Sequence, residues 1–315
     1  MRLGIIDVGT NSCHLLIGSL GPKGTWRLRQ QERCLTRLGD GGFVRGVLAD
    51  VPMARTLRVL RRYTAITQRH HVDRIEAVAT SAIRDARNGR SFLRRIRSEL
   101  GWSVRIISGR EEARLTYLGM RQAHRWQGQA VLVTIGGGSA QVMYGDRRAL
   151  RYAASVPMGS ARLAQQYLRH DPPRAGELAA LRGHITRTWD RVARAVRRHR
   201  WRCALAGSAM VDQCLQAAYH RRHGRLPRGD AHVAISRRSV EELVAWLSTS
   251  TAPQRRALPG LDPRREDLLL PTGLVLLGWM DCCGLTALER AHGSLREGLV
   301  AHYRALACAP RRAAR

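Results

Sequence analysis

The stretch 131-VLVTIGGGSAQVMYG-145 carries apolar residues into a glycine turn and out again, the pattern of two strands joined by a tight loop. A glycine turn of this kind can hold an anion through backbone N–H groups that no side chain obstructs. What it lacks is a carboxylate. Thr134 stands where the chain enters the turn and Gln141 where it leaves, and neither supplies the negative charge that a firmly held divalent cation needs.

The same pattern opens the chain. RLGIID reads as a strand, VGTNS as a turn and CHLLIGSL as the returning strand, with TWRLRQQER alternating as a third. Laid over VTIGGGS without a gap, IIDVGTNS sets Asp7, Gly9 and Ser12 opposite Thr134, Gly136 and Ser139. A third strand, RALRYAASV, also follows the later turn, so an internal duplication explains the pair of hairpins.

Around these turns the periodicities alternate. Residues 50–69 have helical spacing, IEAVATSA is strand-like, SFLRRIRSELG is a helix ending at Gly101, VRIIS is a strand and REEARLTYLGMRQA a helix. This βββαβαβα order is that of an α/β domain with a mixed sheet, assigned to residues 1–126. After the second set of three strands come helices at 158–169 and 174–199, the short strand CALAG and the helix SAMVDQCLQAAYHRR. The remainder reads as mostly helical, with Ser236 and Ser239 as candidate N-caps and 268-LLLPTGLVLLGWM-280 as a buried helix; residues 127–315 form the second domain. The closing RRAAR reads as a frayed tail.

The chain has 315 residues and a formal net charge of +30, with Lys23 the only lysine. Such an excess favours a polyanionic partner. Aromatic residues make up only 5% and no recognised nucleic-acid module occurs, which argues against nucleic acid because bases would have few rings to stack on. Seven cysteines without a CxxC pair fit neither a zinc site nor a disulfide framework, and the natural setting is a reducing cytoplasm. The first residues lead directly into a strand with no signal-peptide pattern, and no apolar run is long enough for a membrane span. The histidines of HRRH at 220–223 read as part of an exposed basic helix, and the arginine-rich segment 187–202 as a helix with one basic face.

Two hairpins with anion-binding turns resemble the actin, sugar-kinase and Hsp70 ATPase superfamily, whose duplicated ribonuclease H-like domains surround a phosphate-binding cleft. Finer motifs narrow the resemblance. IIDVGTNSCHLLIG, AVATSAIRDARNG, IISGREEARLTYLGM, TIGGGSAQV, SVPMGSARL, LAGSAMVDQC and GSLREGLV resemble, in order, the motifs of the exopolyphosphatase and guanosine-pentaphosphate phosphatase (Ppx/GppA) family. The chain is similar to a short form without the additional C-terminal helical domain of longer members.

That resemblance implies a magnesium-dependent phosphohydrolase acting on polyphosphate or guanosine pentaphosphate, and a homodimer. It implies Glu112 of SGREEARL as the general base and Asp7 as the metal-associated residue. Thr10, Asn11 and Ser12 become the first phosphate turn, Arg84 a phosphate-gripping arginine, Gly137, Gly138 and Ser139 the second cradle, and Gly207 with Ser208 a further phosphate-side turn. The chemistry suits these residue types. Repulsion between a phosphoanhydride's charge and the attacking oxygen is overcome by positioned positive charge, a metal and a base for the water. From the residues alone, Glu111 and Glu112 read as compensating a helix dipole, and Arg84 as lying on a solvated helix face.

The opening stretch departs from the family pattern, which reads Asp-Ile-Gly-Gly-Gly-Ser-Thr-Glu at this point. Thr134, Ala140 and Gln141 replace its aspartate, threonine and glutamate. Two lost charges beside a divalent ion weaken its binding by a few kcal/mol in a wet cleft. Two expectations follow: an exopolyphosphatase whose metal is retained by Asp7 and the substrate, or an impaired relative that binds polyphosphate or a guanosine alarmone without turnover.

Overall fold

The computed structural model describes residues 1–224 and 233–308; the terminal RRAAR lies outside them. The chain divides into two compact units, one built from residues 1–123 with 293–308 and the other from His124–His292. The leading segment of the first unit ends at Ala123, and the expected boundary was at 126/127. Residues 293–308, expected within the second domain, belong instead to the first.

The first unit is a five-stranded mixed sheet. Strands β1 (Arg2–Val8), β2 (Ser12–Leu20) and β3 (Trp26–Leu35) form an antiparallel meander. After α1 (Gly42–Arg45) and α2 (Asp50–Arg69) comes β4 (Arg74–Ala79), parallel to β1; after α3 (Ser81–Asp85) and α4 (Gly89–Leu100) comes β5 (Val104–Ile106), parallel to β4. The sheet order is β3-β2-β1-β4-β5, and α5 (Gly109–Ala123) follows β5. Strand β1 shows the two-residue period at work. Ile6 and Val8 join a core with Leu57, Leu60, Phe92 and Ile96 of α2 and α4, whereas Leu3 and Ile5 join another with Ile107 and Leu115.

The second unit repeats the opening. Strands β6 (Ala130–Ile135), β7 (Ala140–Gly145) and β8 (Leu150–Val156) form the meander, followed by α6 (Ser160–Tyr167) and α7 (Ala175–Val196). Strand β9 (Cys203–Gly207) lies parallel to β6 and leads into α8 (Ala209–His223). Beyond it come β10 (Ala234–Ser236), α9 (Arg237–Thr249), α10 (Ala252–Arg256), α11 (Leu269–Cys283) and β11 (Ala287–Arg290), giving the sheet order β10-β11-β9-β6-β7-β8. The two strands within the stretch expected to be mostly helical are only three and four residues long, too short for a period to register. Ser236 caps α9 by accepting from the N–H of Ser239 at 3.1 Å; Ser239 itself is buried in the first turn. Helix α11 is the expected buried helix, and the carbonyl of its Val275 accepts from Trp189 Nε1 at 2.9 Å.

The last helix, α12 (Leu295–Cys308), covers the β1 face that carries Leu3 and Ile5, burying Leu295, Leu299 and Val300 there. It approaches α5 at backbone distance. A Cβ built on Gly119 would stand 1.9 Å from the carbonyl oxygen of Ser294, and one on Gly298 1.7 Å from that of Leu115. That glycine contact and the bare sheet face are the physical reason residues 293–308 leave the second domain. Among the described residues no helix is long and apolar enough to cross a membrane.

Candidate active site

The β1/β2 hairpin pairs Asp7 with His14 and closes through Gly9 N–H donating to the Ser12 carbonyl at 3.1 Å. Its loop is held by its carbonyls. The oxygen of Asn11 accepts from the N–H groups of Thr36 and Arg37 at 3.1 and 2.9 Å, and that of Thr10 from Gly39 at 2.9 Å. Among the described residues the N–H groups of Thr10 and Asn11 donate to nothing, so the turn presents donors. Thr10 Oγ1 lies 3.1 Å from Ser81 Oγ at the start of α3, and Asn11 Nδ2 is buried without a hydrogen-bond partner.

The β6/β7 hairpin has the same construction. Thr134 pairs with Gln141, and Gly136 N–H donates to the Ser139 carbonyl at 2.8 Å, which is the correspondence that the gapless overlay of the two turns expects. Again the carbonyls are engaged: Gly136 accepts from Ser160 N–H at 2.9 Å, Gly137 from Arg162 N–H at 3.0 Å and Gly138 from Arg162 Nε at 2.7 Å. The N–H groups of Gly137 and Gly138 have no acceptor among the described residues. Gly159 is what lets α6 come this close, since a Cβ there would sit 2.2 Å from the Gly138 nitrogen. Gly207 pairs with Thr134 from β9. Ser208, at φ 103, donates Oγ to the Ile135 carbonyl at 2.7 Å and accepts from Val211 N–H at 3.4 Å, so its hydroxyl caps α8.

Ser108 opens α5 by accepting from Glu111 N–H with its Oγ at 3.1 Å and from Glu112 N–H with its carbonyl at 2.8 Å. The two glutamates that follow part company. Glu111 turns outward to Arg105 Nη1 at 2.7 Å, the ordinary first-turn ion pair. Glu112 turns inward, is 9% exposed, and accepts from Arg84 Nη1 at 3.1 Å. Arg84 also donates to the Ile107 carbonyl at 3.1 Å and faces Asp85 through Nε at 3.4 Å, which leaves Nη2 without a partner among the described residues. Arg84 is therefore a clamp on a buried carboxylate and not a solvated helix residue.

Asp7 Oδ1 is shielded from solvent and has no hydrogen-bond partner. Burial pushes its carboxyl up to about 7, Arg296 pulls it partly back, and the charges of Glu112 and Glu297 raise it further. Arg296 Nη1 also lies 3.0 Å from His14 Nδ1, the residue opposite Asp7 in the ladder. Asp7, His14, Glu112 and Arg296 thus gather in the first unit from both ends of the chain.

A divalent cation suits one half of this chemistry. An orphaned, buried carboxylate oxygen such as Asp7 Oδ1 is what a cation would satisfy. The second hairpin does not suit one. Thr134 Oγ1 donates to Gln141 Oε1 at 3.0 Å, and Gln141 Nε2 donates to Ser139 Oγ at 2.9 Å and Ser155 Oγ at 3.4 Å. Thr134, Ser139 and Gln141 are each 3% exposed, so the neutral side chains satisfy one another in a closed network. Among the described residues no group of three or more His, Cys, Asp or Glu has metal-binding geometry.

Arg296 was not singled out by sequence reasoning, although GSLREGLV was recognised as a motif. Its signal, one arginine in a chain full of them, becomes distinct only once α12 is known to pack against β1. Ser81 and Gly159 were likewise missed, within the quoted motifs AVATSAIRDARNG and SVPMGSARL.

The Ppx/GppA phosphatase family model matches residues 27–305. Among curated proteins, exopolyphosphatase 1 of Mycobacterium tuberculosis is 28% identical over 308 residues, covering 95% of this chain and 87% of that protein. Exopolyphosphatase 1 of Mycobacterium leprae is 27% identical over 302 residues, covering 95% and 88%. Among solved structures, an exopolyphosphatase from Cytophaga hutchinsonii superposes with a TM-score of 0.87 at 24% identity, covering 97% of this chain and 98% of that one. The Aquifex aeolicus Ppx/GppA family member superposes with a TM-score of 0.79 at 22% identity, covering 98% and 99%. These likenesses show that the chain shares its two-unit α/β fold with Ppx/GppA proteins of known structure. With paired glycine hairpins in matching register and a family model spanning most of its length, the chain belongs to the Ppx/GppA phosphatase family.

Proposed function

We propose that this chain is an exopolyphosphatase-type phosphohydrolase that removes the terminal phosphate of polyphosphate, and that guanosine pentaphosphate, which presents a similar terminal phosphate, is its second substrate. The observation that carries this reading is the buried Glu112 carboxylate, fixed by Arg84 at the start of α5. Glu112 takes a proton from water as the water oxygen bonds to the terminal phosphorus; the bridging P–O bond breaks and the shortened chain departs with the electron pair. Arg84 holds Glu112 in place and offers Nη2 to a phosphate oxygen. The N–H groups of Thr10 and Asn11, with Ser12, bind phosphate in the first unit. Gly137, Gly138 and Ser139, with Gly207 and Ser208 close by, do so in the second. Asp7 would hold magnesium, which when bound neutralises phosphate charge. The enzyme is cytoplasmic and forms a homodimer on this reading.

The closed Thr134–Gln141–Ser139 network favours a second reading, a protein that binds these anions without turnover. Phosphate release from long-chain polyphosphate, with magnesium titrated from none to excess and Glu112→Gln as the blank, separates the two. Release that depends on both magnesium and Glu112 supports the hydrolase. Binding without release supports the binder.

A further inference from the structure

Between α5, α12 and the turn that joins β2 to β3, the first unit has a cavity of about 330 Å³. Its polar lining includes Lys23 from the turn between β2 and β3, Arg114 and Arg121 of α5, and His302 and Arg304 of α12; no acidic residue lines it. Four fixed positive charges line one small cavity and none of its lining residues is a carboxylate, so they repel one another across it. Lys23 and Arg114 are exposed and form no ion pair among the described residues.

The wall is built firmly. Gly24, at φ 69, lies against the end of α12, where a Cβ would stand 2.6 Å from Cys308 Sγ and 3.0 Å from the Arg304 carbonyl oxygen. Arg304 Nε donates to the Gly24 carbonyl at 2.7 Å, which fixes its guanidinium at the rim. Lys23 itself sits at φ 55, a left-handed conformation uncommon for a residue with a side chain. The one lysine of an arginine-rich chain is thus placed on a tightly packed turn over three arginines.

We propose that this cavity is a second anion site that binds an oligophosphate, either a free short one or a few units of a longer chain. Cations of this density suit a ligand carrying several negative charges over a short length, and guanidinium groups suit phosphate oxygens. Its volume lies at the small end of ligand pockets. No Phe, Tyr or Trp lines it, and His302 is the one lining ring on which a nucleobase could stack. Binding here does not require that the chain hydrolyse phosphoanhydrides.

The solitary lysine makes the test specific. Amine acylation, read by mass spectrometry of peptides, reports Lys23, with the Met1 amine as internal reference. It is run without divalent metal, in tripolyphosphate against sodium chloride of equal ionic strength. Tripolyphosphate slows acylation of Lys23 by about fivefold or more relative to Met1, and Arg114→Gln, a change on an exposed helix position, removes most of that protection. Long-chain polyphosphate at equal total phosphate identifies the source: stronger protection than by tripolyphosphate assigns a chain segment, and equal or weaker protection a free oligophosphate. Unchanged acylation in tripolyphosphate overturns the site. Protection by a single-stranded DNA oligonucleotide but not by tripolyphosphate also overturns it, because that would be a general surface field acting on any long polyanion.

Discussion

Arg84 Nη1 lies 3.1 Å from Glu112 Oε2, joining the short helix α3 to the first turn of α5 through a buried carboxylate. A carboxylate on this clamp cannot be exchanged for its amide without loss of the proton acceptor. Glu112→Gln lowers phosphate release by about 10²–10⁴-fold while polyphosphate binding is retained. Equal turnover by wild type and variant would remove Glu112 from its role.

Removing the other partner tests the clamp as structure. Arg84→Met leaves Glu112 buried beside an apolar chain and lowers unfolding stability by about 1–3 kcal/mol near neutral pH. Adding Glu112→Gln recovers part of that loss, because the amide carries no charge to desolvate. Urea denaturation of the two single variants and the double variant measures the coupling; strictly additive losses would mean that the pair does not interact.

Asp7 gives a pH signature. Its folded carboxyl is pushed up to about 7, above its unfolded value, so the folded state holds the proton more tightly than the unfolded state. Its contribution is fully present below the unfolded value and is lost as pH rises towards 7. Asp7→Asn, which cannot ionise, therefore flattens the metal-free stability profile between about pH 4 and 7 and raises stability at pH 8 by on the order of 4 kcal/mol relative to wild type. If Asp7 holds magnesium as proposed, magnesium raises the wild-type melting temperature and the same variant loses that rise. Thermal melts with and without magnesium across that range check both halves.

Thr134→Asp combined with Gln141→Glu replaces the neutral network by two charges. Without metal the double variant is less stable than wild type, because Ser139 and Ser155 offer only hydroxyls to carboxylates as deeply buried as the residues they replace. With metal it saturates at a magnesium concentration about tenfold lower, as expected for added charge near a divalent ion. Melting temperature against magnesium concentration reports both effects, and unchanged saturation would mean that these positions are not where the metal interaction was lost.

Much of this architecture is legible in the chain because a strand period and a glycine turn are local. The correspondence of Asp7 with Thr134 and Ser12 with Ser139 follows from two short segments and reappears in the ladders as Asp7–His14 and Thr134–Gln141. Splitting Glu111 from Glu112 needed the fold, since adjacent helical positions always diverge by about 100° and only the packing shows which of the two faces the interior. The allegiance of α12 was not legible either. Helical periodicity shows which face of a segment is buried and not against what, and the clue in Gly119 and Gly298 has meaning only when the helices are known to touch. The link between Arg296 and Asp7 was hidden for the same reason.

The return of α12 also bears on how the protein is made. The second unit is continuous in sequence and can fold as soon as it is synthesised, but the first is interrupted by the whole of 124–292. Loop closure over such a distance costs little free energy, since each doubling of a loop adds only about 0.6 kcal/mol. The delay is one of synthesis. Until residues 295–300 leave the ribosome, Leu3, Ile5 and Leu16 lack Leu295, Leu299 and Val300, and one face of the first sheet is covered only around Ile107 and Leu115 through most of translation. A nascent chain in that condition is a natural client for chaperones, and a stop or frameshift just before Gly293 would leave that apolar face permanently open to aggregation.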